Sequence, residues 1–245
     1  MHISISAEPI FNLGPLTITN SFLMGVLVSL FLILISFLVV NENKLRKIPQ
    51  GLLGLFEMII EGFYSLVQSI AGAKAKTFFP LIATFFIFIV FANWAGLLPG
   101  VGTIGFIKMT NHHEKFVPLF RGATADLNTT LALAIFSVLS THFFGLKFLG
   151  LKHPQKFFNL KGPIDFFIGI LELISEFSKI LSFSFRLFGN IFAGEVLLTV
   201  MAFLVPAIAP IPFIGLELFV GLVQALVFSM LTLVFLNIAT AGHEE

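Results

Sequence analysis

Apolar residues gather into five long stretches, at about 21–40, 78–98, 127–150, 164–205 and 211–240. An α-helix rises about 1.5 Å per residue, so roughly 20 apolar residues cross the ~30 Å hydrocarbon core of a bilayer. The first three stretches fit one crossing each. The fourth is about twice the length of a perpendicular span, so it must tilt strongly, bend or divide. Pro206, Pro210 and Pro212 then stop it, because proline cannot continue a helix interior. The fifth stretch is also long, and the last two predict a steeply tilted helical hairpin. Between the first two, residues 49–71 are less apolar and carry Glu57, Glu61, Tyr64 and Gln68, four, three and four apart. That spacing draws one polar stripe along a helix and predicts an amphipathic helix lying in the membrane interface, with a membrane crossing as the alternative that two acids on a lipid face disfavour.

Composition changes this from a pattern into a solvent argument. Of 245 residues, 57% are hydrophobic, 11% are charged and 33 are phenylalanine. A soluble domain is about a quarter charged. Here the polar surface is too small to cover a globule in water, and lipid is the remaining solvent for so much apolar surface. The expected class is an all-α membrane protein, a single multi-pass domain over 1–245 with five crossings and one interfacial helix. The formal net charge of +1 comes without a dense basic patch, so nothing marks a nucleic-acid-binding face. Without cysteine, disulfides and thiolate metal sites are excluded. The first 20 residues lack the basic start of a signal peptide, so 21–40 reads as a retained helix.

Loop charge predicts the orientation. Lys44, Arg46, Lys47, Lys74, Lys76, Lys147, Lys152, Lys156 and Lys161 fall on one side, and Lys108, Lys115 and Arg121 on the other. The richer side is expected to be cytoplasmic, with the N-terminus outside and the C-terminus inside.

The other two basic residues, Lys179 and Arg186, lie inside the fourth stretch. An arginine at bilayer depth costs about 2.5–3.5 kcal/mol on insertion scales and normally faces a partner, a cavity or a water path. Glu172, Ser175, Glu176, Lys179, Ser182, Arg186 and Asn190 follow one another at helical spacing on one face. The stripe is roughly 27 Å long, close to the hydrocarbon thickness. Such a stripe is expected to line an aqueous route or to face a polar site on another protein. Lys179 has Glu172 and Glu176 within reach, so these three can neutralise one another. Arg186 has no acid within four residues, which sends its counter-charge elsewhere in space. Glu195 lies off the stripe on the far side of the same helix. Glu217 and Gln224, seven apart on the last stretch, share a face. An antiparallel hairpin brings them toward Glu195 and Arg186 respectively. An interhelical hydrogen bond, worth about 0.6 kcal/mol in membranes, is an equal reading for Gln224.

The run from Ser182 to Glu195, Ser-Phe-Ser-Phe-Arg-Leu-Phe-Gly-Asn-Ile-Phe-Ala-Gly-Glu, resembles the signature of the subunit a family of F-type ATP synthases. Weaker likenesses lie in order around it: Asn93-Trp94 with Leu97-Leu98-Pro99, the run from Ala125 to Leu131, and Gln224 to Phe228. The resemblance covers about residues 49 to 240. It implies a proton-conducting stator with two aqueous half-channels, in which Arg186 faces the carboxylate of a rotating c-ring. It implies that Asn190, Glu195, Glu217 and Gln224 line one half-channel or the ring interface. Glu172, Ser175 and Lys179 match polar and basic family positions near the other helix end, and Asp126 and Asn128 match polar positions in the preceding hairpin. Family members often carry histidine at one of the positions held here by Glu195 and Glu217, which leaves their protonation order open. The implied partners are the c-ring, the peripheral stalk b subunits, the rest of the ATP synthase complex and membrane lipids, with no cofactor or metal. The ion-binding carboxylate sits on the ring in this family, so both protons and sodium ions remain open. A bacterial plasma membrane is the expected home, with an organelle membrane as the alternative. The chain itself makes no ATP on this reading.

Other signals carry less. Gly100 to Gly105 fits a dinucleotide glycine pattern, but it follows a membrane span and reads as a flexible loop. No Gly-x-x-x-x-Gly-Lys-Ser/Thr phosphate loop occurs. His112, His113 and Glu114 read as solvated loop residues, and Asn128-Thr129-Thr130 as a sequon without consequence. The phenylalanines read as lipid contacts and core packing. The alternative function is a secondary proton-coupled transporter, which predicts broken helices in two related halves. A purely structural scaffold leaves the stripe without a purpose.

Overall fold

The computed structural model describes residues 6–14, 16–41, 52–110, 113–155, 157, 162–206 and 208–241. Seven helices appear among them: α1 Asn20–Asn41, α2 Leu52–Ala71, α3 Ala75–Ala95, α4 Leu127–Leu149, the four-residue α5 Lys152–Gln155, α6 Pro163–Leu204 and α7 Pro210–Thr240. The protein is an all-α membrane protein. By length and composition, five helical runs can cross a bilayer: Asn20–Phe37, Glu57–Ala95, Leu127–Leu149, Ile164–Leu204 and Pro210–Thr240. The second joins α2 and α3. A glycine with φ +54°, Gly72, ends α2 in the left-handed conformation that most side chains avoid, and one 3-10 turn, Gly72–Lys74, leads into α3.

The fourth apolar stretch does not divide. α6 is one unbroken 42-residue helix that opens on Pro163, and α7 opens on Pro210. Proline suits the first helical position, where the amide has no partner to lose. The loop between α3 and α4 is more regular than its glycines suggest. The hairpin β3 Gly105–Thr110 with β4 His113–Pro118 follows Gly100 and Gly102, whose φ values are +106° and +77°. A second hairpin, β1 Pro9–Leu13 with β2 Leu16–Thr19, precedes α1. His112 and the orientation-bearing Lys44, Arg46, Lys47, Lys156 and Lys161 lie outside the described residues, as does the expected start of the interfacial helix at 49–51. So do the side chains of Lys108, Lys115, His113 and Glu114.

The chain divides into two compact units. The first comprises 1–43, 86–130 and 185–226, and the second 44–85, 131–184 and 227–245. In the first, Met24 and Val28 of α1, Ile89 and Ala92 of α3, Leu187 and Ile191 of α6 and Ala225 of α7 are buried. In the second, buried aromatic rings meet among aliphatic side chains such as Ile82, Leu233 and Leu236. Phe85 meets Phe228 with ring centroids 5.4 Å apart, and Phe228 meets Phe183 at 5.1 Å. Polar ties fasten the helix ends. Lys74 Nζ donates to the Thr240 carbonyl at 2.7 Å, placing a cation at the C-terminus of α7, where the helix dipole favours one. Asn237 Nδ2 donates to the Ile70 carbonyl at 3.0 Å near the end of α2.

Asp126 explains the start of α4. It is extended and buried, and its Oδ1 accepts from the Asn128 backbone N–H at 3.1 Å and from Asn128 Nδ2 at 3.2 Å. That is an N-cap, worth about 0.5–2 kcal/mol. Asp126→Ala is expected to lower the thermal midpoint of the purified protein, whereas Asp126→Asn keeps the acceptor and stays near the parent. Equal midpoints for Asp126→Ala and the parent count against the cap.

Candidate functional site

In the first unit, α6 shows two contrasting faces. Arg186, Asn190 and Ala193 are exposed, four and three residues apart, while Leu187, Ile191 and Gly194 on the other side are buried. The chain therefore packs one face of this segment and leaves the arginine face open.

Glu195 sits away from that open face, as its spacing predicts, and it meets an unexpected residue. Arg121 Nε donates to Glu195 Oε2 at 3.2 Å. The same guanidinium donates through Nη1 to the Ser6 carbonyl at 3.2 Å, and its carbon lies 5.7 Å from the centre of the Phe192 ring. The Arg121 side chain is 7% exposed and that of Glu195 39%. Arg121 lies in the loop before α4, where loop charge places it, and it is also a buried strut that ties that loop to α6 and to the N-terminal segment. A charge this far from water is kept only with partners, and these three supply them.

Glu217 of α7 is buried, and its carboxyl occupies the space where a Cβ on Gly194 would stand. The expected approach of Glu217 to the Glu195 region of α6 is thus present, through its neighbour. Two residues hold this part of α7 in place. Asn93 Nδ2 donates to the Gly221 carbonyl at 2.8 Å, and Trp94 Nε1 donates to the Leu218 carbonyl at 3.0 Å. Thr124 Oγ1 in turn donates to Asn93 Oδ1 at 2.7 Å. Gly221 allows the approach, since a Cβ there would lie 3.0 Å from Asn93 Cβ. Gln224, two helical turns beyond Glu217, is half-buried.

The second unit carries the other half of the stripe. Ser175 and Ser182 are exposed, and Glu172, Glu176 and Lys179 are half-buried. Of the three charges expected to neutralise one another, Lys179 and Glu176 pair at 2.6 Å. The Lys179 ammonium also lies 4.6 Å from the centre of the Phe235 ring. Two residues absent from the sequence reading join them. His142 Nε2 lies 3.6 Å from Glu176 Oε2, and His142 Nδ1 is 3.1 Å from His153 Nε2. A cavity of about 100 Å³ is bordered by these imidazoles with Thr141, Glu172, Glu176 and Lys179. The available signal was a histidine inside an apolar helix, His142, with Gly145 one turn later.

Comparison with known proteins identifies the family. The sequence profile of the ATP synthase A chain family matches residues 22–237. ATP synthase subunit a of Moorella thermoacetica is 32% identical over 238 residues, covering 96% of each chain. That of Syntrophobacter fumaroxidans is 35% identical over 195 residues, covering 78% of this chain and 72% of the relative. That of Gloeobacter violaceus is 32% identical over 244 residues, covering 99% and 93%. With a family match across most of its length and relatives aligned nearly end to end, this chain belongs to the ATP synthase A chain family.

Proposed function

We propose that this chain is the proton-conducting stator of a rotary F-type ATP synthase, with two aqueous half-channels and with Arg186 opposite the carboxylate of a turning c-ring. The observation that carries the reading is the open face of α6, where Arg186 and Asn190 are exposed while Leu187, Ile191 and Gly194 behind them are buried. A cation on an outward face of a membrane helix is costly in lipid and is well placed against a partner's acid. Asn190, Glu195, Glu217 and Gln224 line one half-channel. Glu172, Ser175, Glu176, Lys179 and Ser182 line the other.

The mechanism follows from charge. A protonated ring carboxyl is neutral and turns through lipid, whereas an ionised one is costly there. Arg186 favours the ionised form as the carboxyl passes, releases its proton to one half-channel and bars direct leakage between the two. Each proton moving with the field contributes about 2.3 kcal/mol per 100 mV. The partners are the c-ring, the b subunits of the peripheral stalk and the remaining subunits of the complex. The chain lies in a bacterial plasma membrane with its N-terminus outside and its C-terminus cytoplasmic, and α2 rests in the interface. The transporter reading gains no support from a family match over residues 22–237.

Arg186→Ala is expected to abolish proton-driven ATP synthesis while the complex still assembles with its ring. Synthesis that remains coupled to a proton gradient removes Arg186 from the centre of the mechanism, and synthesis driven by sodium alone replaces the ion.

Gly194→Ala places a methyl group where the Glu217 carboxyl lies. ATP-driven acidification of inverted vesicles is expected to fall by roughly tenfold, the effect of about 1.4 kcal/mol on a barrier. Gly62→Ala, whose Cβ meets nothing within 4 Å, serves as the control. Parent-like acidification by Gly194→Ala excludes Glu217 from the pathway at this position.

A further inference from the structure

We propose that His142, His153 and Glu176 form a one-proton relay beside the cavity of the second unit, through which protons enter and leave the half-channel of Glu172 and Glu176. The inference rests on the proton-stator reading and adds two residues to it. His142 projects from α4, His153 from α5 and Glu176 from α6. The contacts form a line, with His153 Nε2 to His142 Nδ1 at 3.1 Å and His142 Nε2 to Glu176 Oε2 at 3.6 Å. Each imidazole nitrogen is a donor or an acceptor according to the tautomer, so the line is a chain of donors and acceptors.

The chemistry limits the chain to one extra proton. A neutral imidazole has one N–H and one bare nitrogen. With His142 protonated, Nδ1–H donates to the bare Nε2 of His153 and Nε2–H points at the Glu176 carboxylate. Transfer breaks the His142 Nδ1–H bond and forms the His153 Nε2–H bond, moving one positive charge one ring along. A second extra proton would set two N–H groups against each other across 3.1 Å. At the other end, 3.6 Å is longer than a hydrogen bond, and the cavity of about 100 Å³ has room for a bridging water.

The seat of His153 is specific. Its ring fills the space where a Cβ on Gly145 would stand, and Gly145 lies one turn after His142 on α4. Phe157 packs edge-on against both imidazoles, at 5.6 and 5.9 Å. Every other charged group at the cavity lies on α6: Glu172, and Lys179, which pairs with Glu176. α7 contributes only Phe235, Ile238 and Ala239 there, none of them ionisable. Among the described residues, the other cation at the cavity, Lys179, is therefore already paired, which leaves the imidazoles as the groups there that can both accept and donate a proton.

A relay matters most when protons are scarce. At about pH 8 a diffusion-limited encounter at roughly 10⁹–10¹⁰ M⁻¹ s⁻¹ supplies only ~10–100 protons per second. A typical turnover of about 10 s⁻¹ using several protons each is of similar size. The test is ATP-driven acidification of inverted vesicles holding the whole complex, with the outer pH varied and each rate divided by the ATPase activity of the same uncoupled vesicles. His142→Gln is expected to fall roughly fivefold at about pH 8, where supply limits the flux, and to approach the parent near pH 6. His153→Gln follows the same profile, and Gly145→Ala follows it more weakly. An unchanged rate, or a loss equal at every pH, overturns the relay, because a merely structural role moves all pH values together. If His142→Gln fails to assemble, Glu176→Gln is read by the same criterion. Parent vesicles that acidify under no condition overturn the stator reading itself, which no behaviour of the histidine variants can do.

Discussion

The price of a charge in hydrocarbon is the constraint on which the rest of this protein depends. Each ionisable group carried by a spanning helix needs a partner, a water path or another protein's charge. α6 and α7 meet that demand differently along their lengths. Glu176 is met by Lys179, and Lys179 also by the face of Phe235. Glu195 is met by Arg121, which reaches it from a loop. The Arg186 face is left open by the chain's own packing. The exposed Arg186 side and the buried Leu187 and Ile191 side thus give this part of α6 two faces of opposite character.

Holding those groups in register requires rigid support that does not consume the helices' own hydrogen bonds. Asn93 and Trp94 donate to the Gly221 and Leu218 carbonyls, helix interior groups that already accept from four residues on. A carbonyl has two lone pairs, so a second donor can be added without breaking the helix. The tie fixes α7 in the turn that directly follows Glu217. This gives a physical reason for the pairing of Asn93 and Trp94: one side chain fastens one carbonyl, and its neighbour fastens another a turn away.

Much of the fold was legible because lipid enforces long apolar runs and charges stand out against them. Five spans, the proline break between α6 and α7, and the polar stripe through Arg186 needed only hydropathy and helical spacing. The hairpins were less legible, since β3 and β4 are short and sit among glycines that also suit an irregular loop. The contacts of the site were not legible where they join residues distant in sequence. Arg121 and Glu195 are 74 residues apart, and nothing in local spacing brings a loop arginine to the far side of α6. His142 and His153 are closer, but the turn that returns one ring to the other depends on Gly150, whose φ is +58°. The conformation of such a turn is not contained in periodicity.

Three glycines show how absent side chains position polar ones. A Cβ on Gly194 would overlap the Glu217 carboxyl, one on Gly145 would overlap the His153 ring, and one on Gly221 would press on Asn93. Each lies inside a helix, where glycine costs about 1 kcal/mol relative to alanine in water. In lipid, small residues recur where helices approach closely, because close packing replaces the hydrophobic force that lipid cannot supply. Here the gap admits a carboxyl, an imidazole or a carboxamide in place of another helix's backbone. The loss of helix propensity is then offset by a polar group placed at a depth where it would otherwise face hydrocarbon, a penalty of several kcal/mol. Because the polar side chain and its gap belong to different elements, such sites are coupled in pairs. Substitution of either partner alone leaves a void or a clash, and only a joint change of both can preserve the geometry.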